Sequence, residues 1–123
     1  MQPRIFEAKF GTLFLREADA FRAVATLNAP AAYVEALTHP RLQRPPPDVP
    51  LGRVASTRQV AQIADITEAR SYIERHPFLV DAVEVGGYRT VLAVPMLKDD
   101  ELIGSINILR QEVRPLPTSR SSS

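Results

Sequence analysis

Between Thr90 and Leu109 the sequence TVLAVPMLKDDELIGSINIL sets two apolar runs on either side of four charged residues, Lys98 to Glu101. Two such runs joined by a short polar turn pair as an antiparallel hairpin, and a hairpin commits the chain to a sheet. Pro95 stands inside the first run. Proline has no N–H to give to a strand ladder, so its place must be an edge, a bulge or an otherwise unpaired position. Asp99 and Asp100 fall in the turn, where exposure is expected rather than acid–base chemistry.

A second hairpin is expected near the start, where KFGTLFLRE and AFRAVATLN are strand-like runs separated by Ala18 and Asp19. Phe10, Thr12 and Phe14 share one face of the first run, and Leu13 and Leu15 share the other. Apolar residues on both faces predict a sheet covered on both sides. PAAYVEALTHP predicts a short helix from Pro30, with Tyr33, Val34 and Leu37 at helical spacing and a stop at Pro40. Eleven prolines are unevenly placed, and five of them crowd into HPRLQRPPPDVP, His39 to Pro50, which reads as an irregular connector. LGRVASTRQ then predicts a short helix and VAQIADI a strand. TEARSYIERHPFLVDAVEVGG predicts a helical stretch capped near Thr67, interrupted before Pro77 and ended by Gly86 and Gly87. Strands at both ends with helices between them give an α+β domain around an antiparallel sheet.

The chain has 123 residues, enough for one domain, and a formal net charge of +1, which offers no broad basic field for nucleic acid. Cysteine is absent, which excludes disulfides, thiolate nucleophiles and thiolate metal sites. No apolar run reaches the length of about 18 residues that a membrane helix needs, and MQPRIFEAKF lacks the apolar centre of a signal peptide. A cytoplasmic location without membrane insertion is therefore expected. There is no phosphate-cradling glycine loop, no metal-spaced cluster and no nucleophile elbow.

In its order of segments the chain resembles the GAF family, in the form found N-terminal to bacterial sensor histidine kinases. The matching stretches are FEAKFGTLFLRE, FRAVATLNAPAAYVEA, LGRVASTRQVAQIADI, YIERHP, GGYRTVLAVPMLKDDELIG and RQEVRP, from about Phe6 to Pro115. The resemblance implies a central antiparallel sheet whose one face carries a ligand pocket roofed by the middle helices. The first and last helices would pack on the other face. It also implies residues 1–5 as the remnant of an N-terminal helix, 6–115 as the sensory domain and 116–123 as a disordered polar tail, in which LPTSRSSS replaces the expected last helix. Asp48, Val49 and Pro50 stand where relatives often carry glycines, so the pocket entrance is expected to differ. The asparagine-lysine-phenylalanine-aspartate-glutamate motif of cyclic-nucleotide-binding members is missing. The absence of cysteine excludes bilin attachment and the cysteine-based methionine sulfoxide reductase chemistry of other members.

Eight residues are candidates for ligand contact, each with a structural alternative. Asp65 and Thr67 either meet a polar ligand or cap the following helix. Tyr72 and Tyr88 offer a phenol to an apolar pocket or simply pack at a core margin. Arg89, at a strand entrance, clamps an anion or is solvated. His76, like His39, either ligates haem or ends a helix near its terminal carbonyls, and stable haem binding is not expected. Ser105 and Asn107 share a strand face with Ile103 and Leu109 and need partners if that face is covered. The expected function is a non-catalytic sensory or regulatory domain of a two-component sensor histidine kinase, with a small-molecule ligand, self-association and a kinase output domain as partners. The alternative is a ligand-free interaction or dimerisation module of the same fold. No cofactor identity can be read from these residues.

Overall fold

The computed structural model describes residues 10–38 and 42–114. Five strands form one antiparallel sheet: β1 (Phe10–Glu17), β2 (Ala20–Leu27), β3 (Ala61–Ile63), β4 (Thr90–Lys98) and β5 (Glu101–Arg110), in the order β2-β1-β5-β4-β3. The four α-helices among the described residues are short: α1 (Ala31–Leu37), α2 (Pro50–Thr57), α3 (Arg70–Ile73) and α4 (Pro77–Val80). A 3₁₀ turn (Ile66–Glu68) precedes α3, and a π-helical turn (Asp81–Val85) continues α4. The expected α+β class and both hairpins are observed. The segments 1–5 and 116–123, with His39 and Pro40, lie outside the described residues.

Both hairpins close through two-residue turns, with Glu17 opposite Ala20 and Lys98 opposite Glu101. Asp99 and Asp100 both adopt positive φ, 54° and 68°, as a type I′ turn requires. Pro95 lies two residues beyond Ala93, the last residue of β4 that β3 pairs with. β4 is therefore an edge at that point, and proline there sacrifices no ladder bond to β3. The ladder between β4 and β5 becomes irregular immediately afterwards, between Met96 and Leu97.

That irregularity corrects the face expected for Ile103. Met96 pairs with Gly104 and Leu97 with Leu102, so Ile103 is an extra residue in β5 and the alternation slips there. Leu102 takes the buried position at 4% exposure while Ile103 is 43% exposed. The third strand is also shorter than VAQIADI. The backbone leaves the ladder after Ile63, and Asp65 turns it into the 3₁₀ helix by accepting from the Thr67 N–H at 3.0 Å.

Cross-strand register defines the two faces. Phe10, Thr12 and Phe14 of β1 stand opposite Leu109, Asn107 and Ser105 of β5, which pair onward with Val91, Ala93 and Pro95 of β4. This face carries the core, where Phe14, Val91, Ala93, Leu102 and Leu109 join Tyr33 and Leu37 of α1, Leu51 and Val54 of α2, and Leu79, Ala82 and Val83 of the α4 region. The opposite face holds Leu13, Leu15, Leu92, Val94, Ile106 and Ile108. None of these joins the core cluster, and Ile106 stays 41% exposed. The expectation of a sheet covered on both sides is met on one face by the described helices.

The proline-rich connector is fixed at two places. Gln43 makes a two-way backbone bridge with Phe21 at 2.8 and 2.7 Å, and its side chain donates to the Leu37 carbonyl at 3.1 Å. Pro50 begins α2, where proline's missing N–H costs nothing. The helix lies so close to the connector that a Cβ on Gly52 would collide with the Pro46 carbonyl.

Candidate functional site

The centre of the covered sheet face is polar. Thr12 and Asn107 are direct cross-strand partners, Ser105 follows on the same face, and all three are buried. Ser105 Oγ donates to Asn107 Oδ1 at 3.2 Å. Thr12 Oγ1 is buried without a hydrogen-bond partner among the described residues, and so is the hydroxyl of Tyr88. A buried hydroxyl without a partner costs about 1–3 kcal/mol, so each of the two calls for an explanation.

An aromatic group stands over one end of this centre. The Tyr88 ring, fully buried, meets Phe10 at 5.5 Å and Tyr33 at 5.1 Å between centroids, the latter edge to face. Gly86 permits this packing, because a Cβ there would lie 2.5 Å from the Tyr88 ring. Burial pushes the Tyr88 phenol up to about 12. Burial also raises Tyr33, with the neighbouring Tyr88 and Asp81 adding to the effect. Both phenols are therefore neutral near pH 7 and able to donate a hydrogen bond.

Of the eight sequence candidates, the structure gathers Tyr88, Ser105 and Asn107 around the covered face and assigns the others local partners. Asp65 caps the 3₁₀ helix. Thr67 is the donor in that cap, through its N–H and through Oγ1 at 2.6 Å, rather than the capping acceptor. The Tyr72 phenol lies 3.2 Å from Glu84 Oε2, while Arg75 pairs with Glu84 at 2.9 Å and stands 5.8 Å over the Tyr72 ring. Its role is a surface clamp between α3 and the π turn. Arg89 Nη1 returns to the Tyr88 carbonyl at 3.0 Å. His76 begins α4 instead of ending a helix. Its Nδ1 accepts the Phe78 N–H at 3.1 Å, so the imidazole meets a free backbone donor and not terminal carbonyls.

Thr12 and Tyr33 were not singled out from the sequence. Strand alternation puts Phe10, Thr12 and Phe14 on one face, but the register that sets Thr12 against Asn107 is a long-range property. Among the described residues no group of three or more His, Asp or Glu side chains is placed to hold a metal ion. No described helix is long and apolar enough to cross a membrane.

The GAF domain family matches residues 3–121. No curated protein sequence matches the chain. A GAF domain/HD domain protein from Geobacter sulfurreducens superposes with a TM-score of 0.69 at 18% identity, over 97% of this chain and 76% of that one. The reduced form of fRMsr from Staphylococcus aureus gives 0.63 at 17% identity, over 92% of this chain and 62% of that one. A domain assigned to a two-component sensor histidine kinase protein from Sinorhizobium meliloti gives 0.61 at 15% identity, over 99% and 81%. At these identities the solved structures establish a shared fold, and the family match over nearly the whole length establishes that this chain belongs to the GAF domain family.

Proposed function

We propose that this chain is a non-catalytic sensory domain that binds a small molecule between the covered sheet face and its helices, and that it serves a cytoplasmic sensor histidine kinase. The observation that carries this reading is the pair of buried, unpartnered hydroxyls on Thr12 and Tyr88, the first of them beside the buried Ser105–Asn107 pair. These groups form hydrogen bonds readily but carry no charge, which suits a compact neutral ligand with polar atoms. Such a ligand would lie between the strands and α1 with the π turn, so both layers would feel its binding. Binding shifts a conformational equilibrium to the extent that the two states differ in affinity. The likeness to the Sinorhizobium meliloti domain supports the kinase context.

fRMsr shares the fold, and the absence of cysteine here argues against transferring a cysteine-based reductase reaction to this chain. The second reading, an interaction module with no ligand, is favoured by the apolar sheet face on which Ile106 and Leu27 are exposed. Native mass spectrometry and calorimetry of the purified chain against a broad metabolite panel separate the two. The sensory reading predicts a retained or added small molecule whose binding is lost in Thr12→Val and Tyr88→Phe. An unchanged bare mass and no heat across the panel would favour the interaction module. Autophosphorylation on incubation with ATP would contradict both.

A further inference from the structure

A second cavity opens at the margin of the helices that cover the sheet. A cleft of about 310 Å³ opens between the Leu42–Arg44 segment and the start of α4, lined by Leu42, Arg44, His76, Pro77, Phe78 and Asp81 among others. Small-molecule sites span roughly 300–1,000 Å³, so this one suits a ligand of few atoms and is too small for a nucleotide. The Phe78 ring meets Phe14 at 6.4 Å and so links the cleft to the core.

The charged groups of the cleft are of opposite sign and not paired with one another. The Asp81 carboxylate, on the first residue of the π turn, receives no hydrogen bond or ion pair from any described residue, and its burial alone pushes the carboxyl above its ordinary value. A half-buried carboxylate without a counter-charge calls for a cation or a donor. Arg44 pairs with Asp19 through Nε at 3.5 Å, an exposed contact at the rim of the cleft. His76 Nδ1 is occupied as an acceptor, so in the neutral ring the proton sits on Nε2 and makes that atom a donor. A simple anion would be repelled by Asp81, and a simple cation by Arg44. A molecule carrying both charges satisfies both ends.

We propose that this cleft binds a small zwitterion, an amino acid with an apolar side chain. Its ammonium pairs with Asp81, its carboxylate with Arg44 and His76 Nε2–H, and its side chain packs against Leu42 and Phe78. The cleft is lined by different residues from the Thr12 and Tyr88 hydroxyls, and the two sites share the α4 region.

The test is calorimetry of the full chain with L-leucine, with isoamylamine, which lacks the carboxylate, and with 4-methylpentanoate, which lacks the ammonium. L-Leucine is expected to bind, and each single-charge analogue to bind at least tenfold more weakly. Asp81→Asn and Arg44→Gln are each expected to weaken L-leucine at least tenfold. Arg44 is mostly exposed, so its variant tests the carboxylate end without disturbing the packing of the π turn. Backbone amide spectra should show Phe78 and Asp81 shifting on titration while Thr12 stays in place. No binding of L-leucine, equal binding of either analogue, binding retained in Arg44→Gln, or shifts confined to Thr12 and Tyr88 would each overturn the proposal.

Discussion

Asp48 reaches from the connector to hold the start of α3. The residue preceding that helix is Ala69, whose side chain cannot cap it, and Asp48 supplies the acceptor from 23 positions away, taking the Ser71 N–H at 3.1 Å and the Ser71 hydroxyl at 2.6 Å. Burial pushes the Asp48 carboxyl up, but the hydrogen bonds from Ser71 outweigh it and hold the carboxyl below its ordinary value. A lowered carboxyl stabilises the fold above about pH 4 and loses that contribution as pH falls through its folded value. Asp48→Ala should therefore cost about 1 kcal/mol at pH 7, as lost caps do, and progressively less in acid, as denaturant midpoints at the two pH values will show. Asp81 behaves in the opposite sense. Its raised carboxyl favours the protonated form, so its contribution is present in acid and lost as pH rises through the folded value. Without ligand, Asp81→Asn should raise the unfolding midpoint at pH 7 and leave it unchanged near pH 3. At this scale the local part was readable from the sequence. Asp65 capping a turn two residues away follows from short-range pattern, whereas Asp48 capping α3 and Thr12 facing Asn107 depend on which distant segments meet.

Turns and breaks fix the elements. Ala18 closes the first hairpin with φ of 58°, a region that costs a side chain with a Cβ roughly 1 kcal/mol relative to glycine. Ala18→Gly should accordingly raise the thermal midpoint by a few degrees, and a fall would show that the turn relaxes elsewhere. Pro95, the KDDE turn and Gly86–Gly87 announced their roles in the sequence, because each removes or supplies a conformation that few residues can. The extra residue at Ile103 did not, since a bulge leaves the composition of an apolar run unchanged and shows only in the pairing of Met96 with Gly104. The π turn was hidden for the same reason. It is one residue wider than the helix it continues, and it brings Asp81 to the cleft beside His76.

The whole molecule has one sheet face built into a core and one that the described helices leave apolar. Leu27 at 61% and Ile106 at 41% exposure are open members of the second face, and Gly11, Leu13 and Ala25 line the shallow groove between them. At roughly 25 cal/mol per Å², a few hundred Å² of such surface is worth several kcal/mol on association. We expect concentration-dependent self-association by light scattering, weakened in Leu27→Lys combined with Ile106→Lys. A size that is monomeric throughout would remove this expectation. The central claim concerns the other face: that the hydroxyls of Thr12 and Tyr88 are kept for a ligand and not for packing. The most direct measurement is the thermal midpoint of the Thr12→Val, Tyr88→Phe double variant in ligand-free protein. Both changes remove buried hydroxyls that have no partner among the described residues, so the midpoint should stay or rise, in line with the roughly 1–3 kcal/mol that each unsatisfied group costs. A midpoint several degrees lower would show that the hydroxyls hold the fold together and would contradict the account.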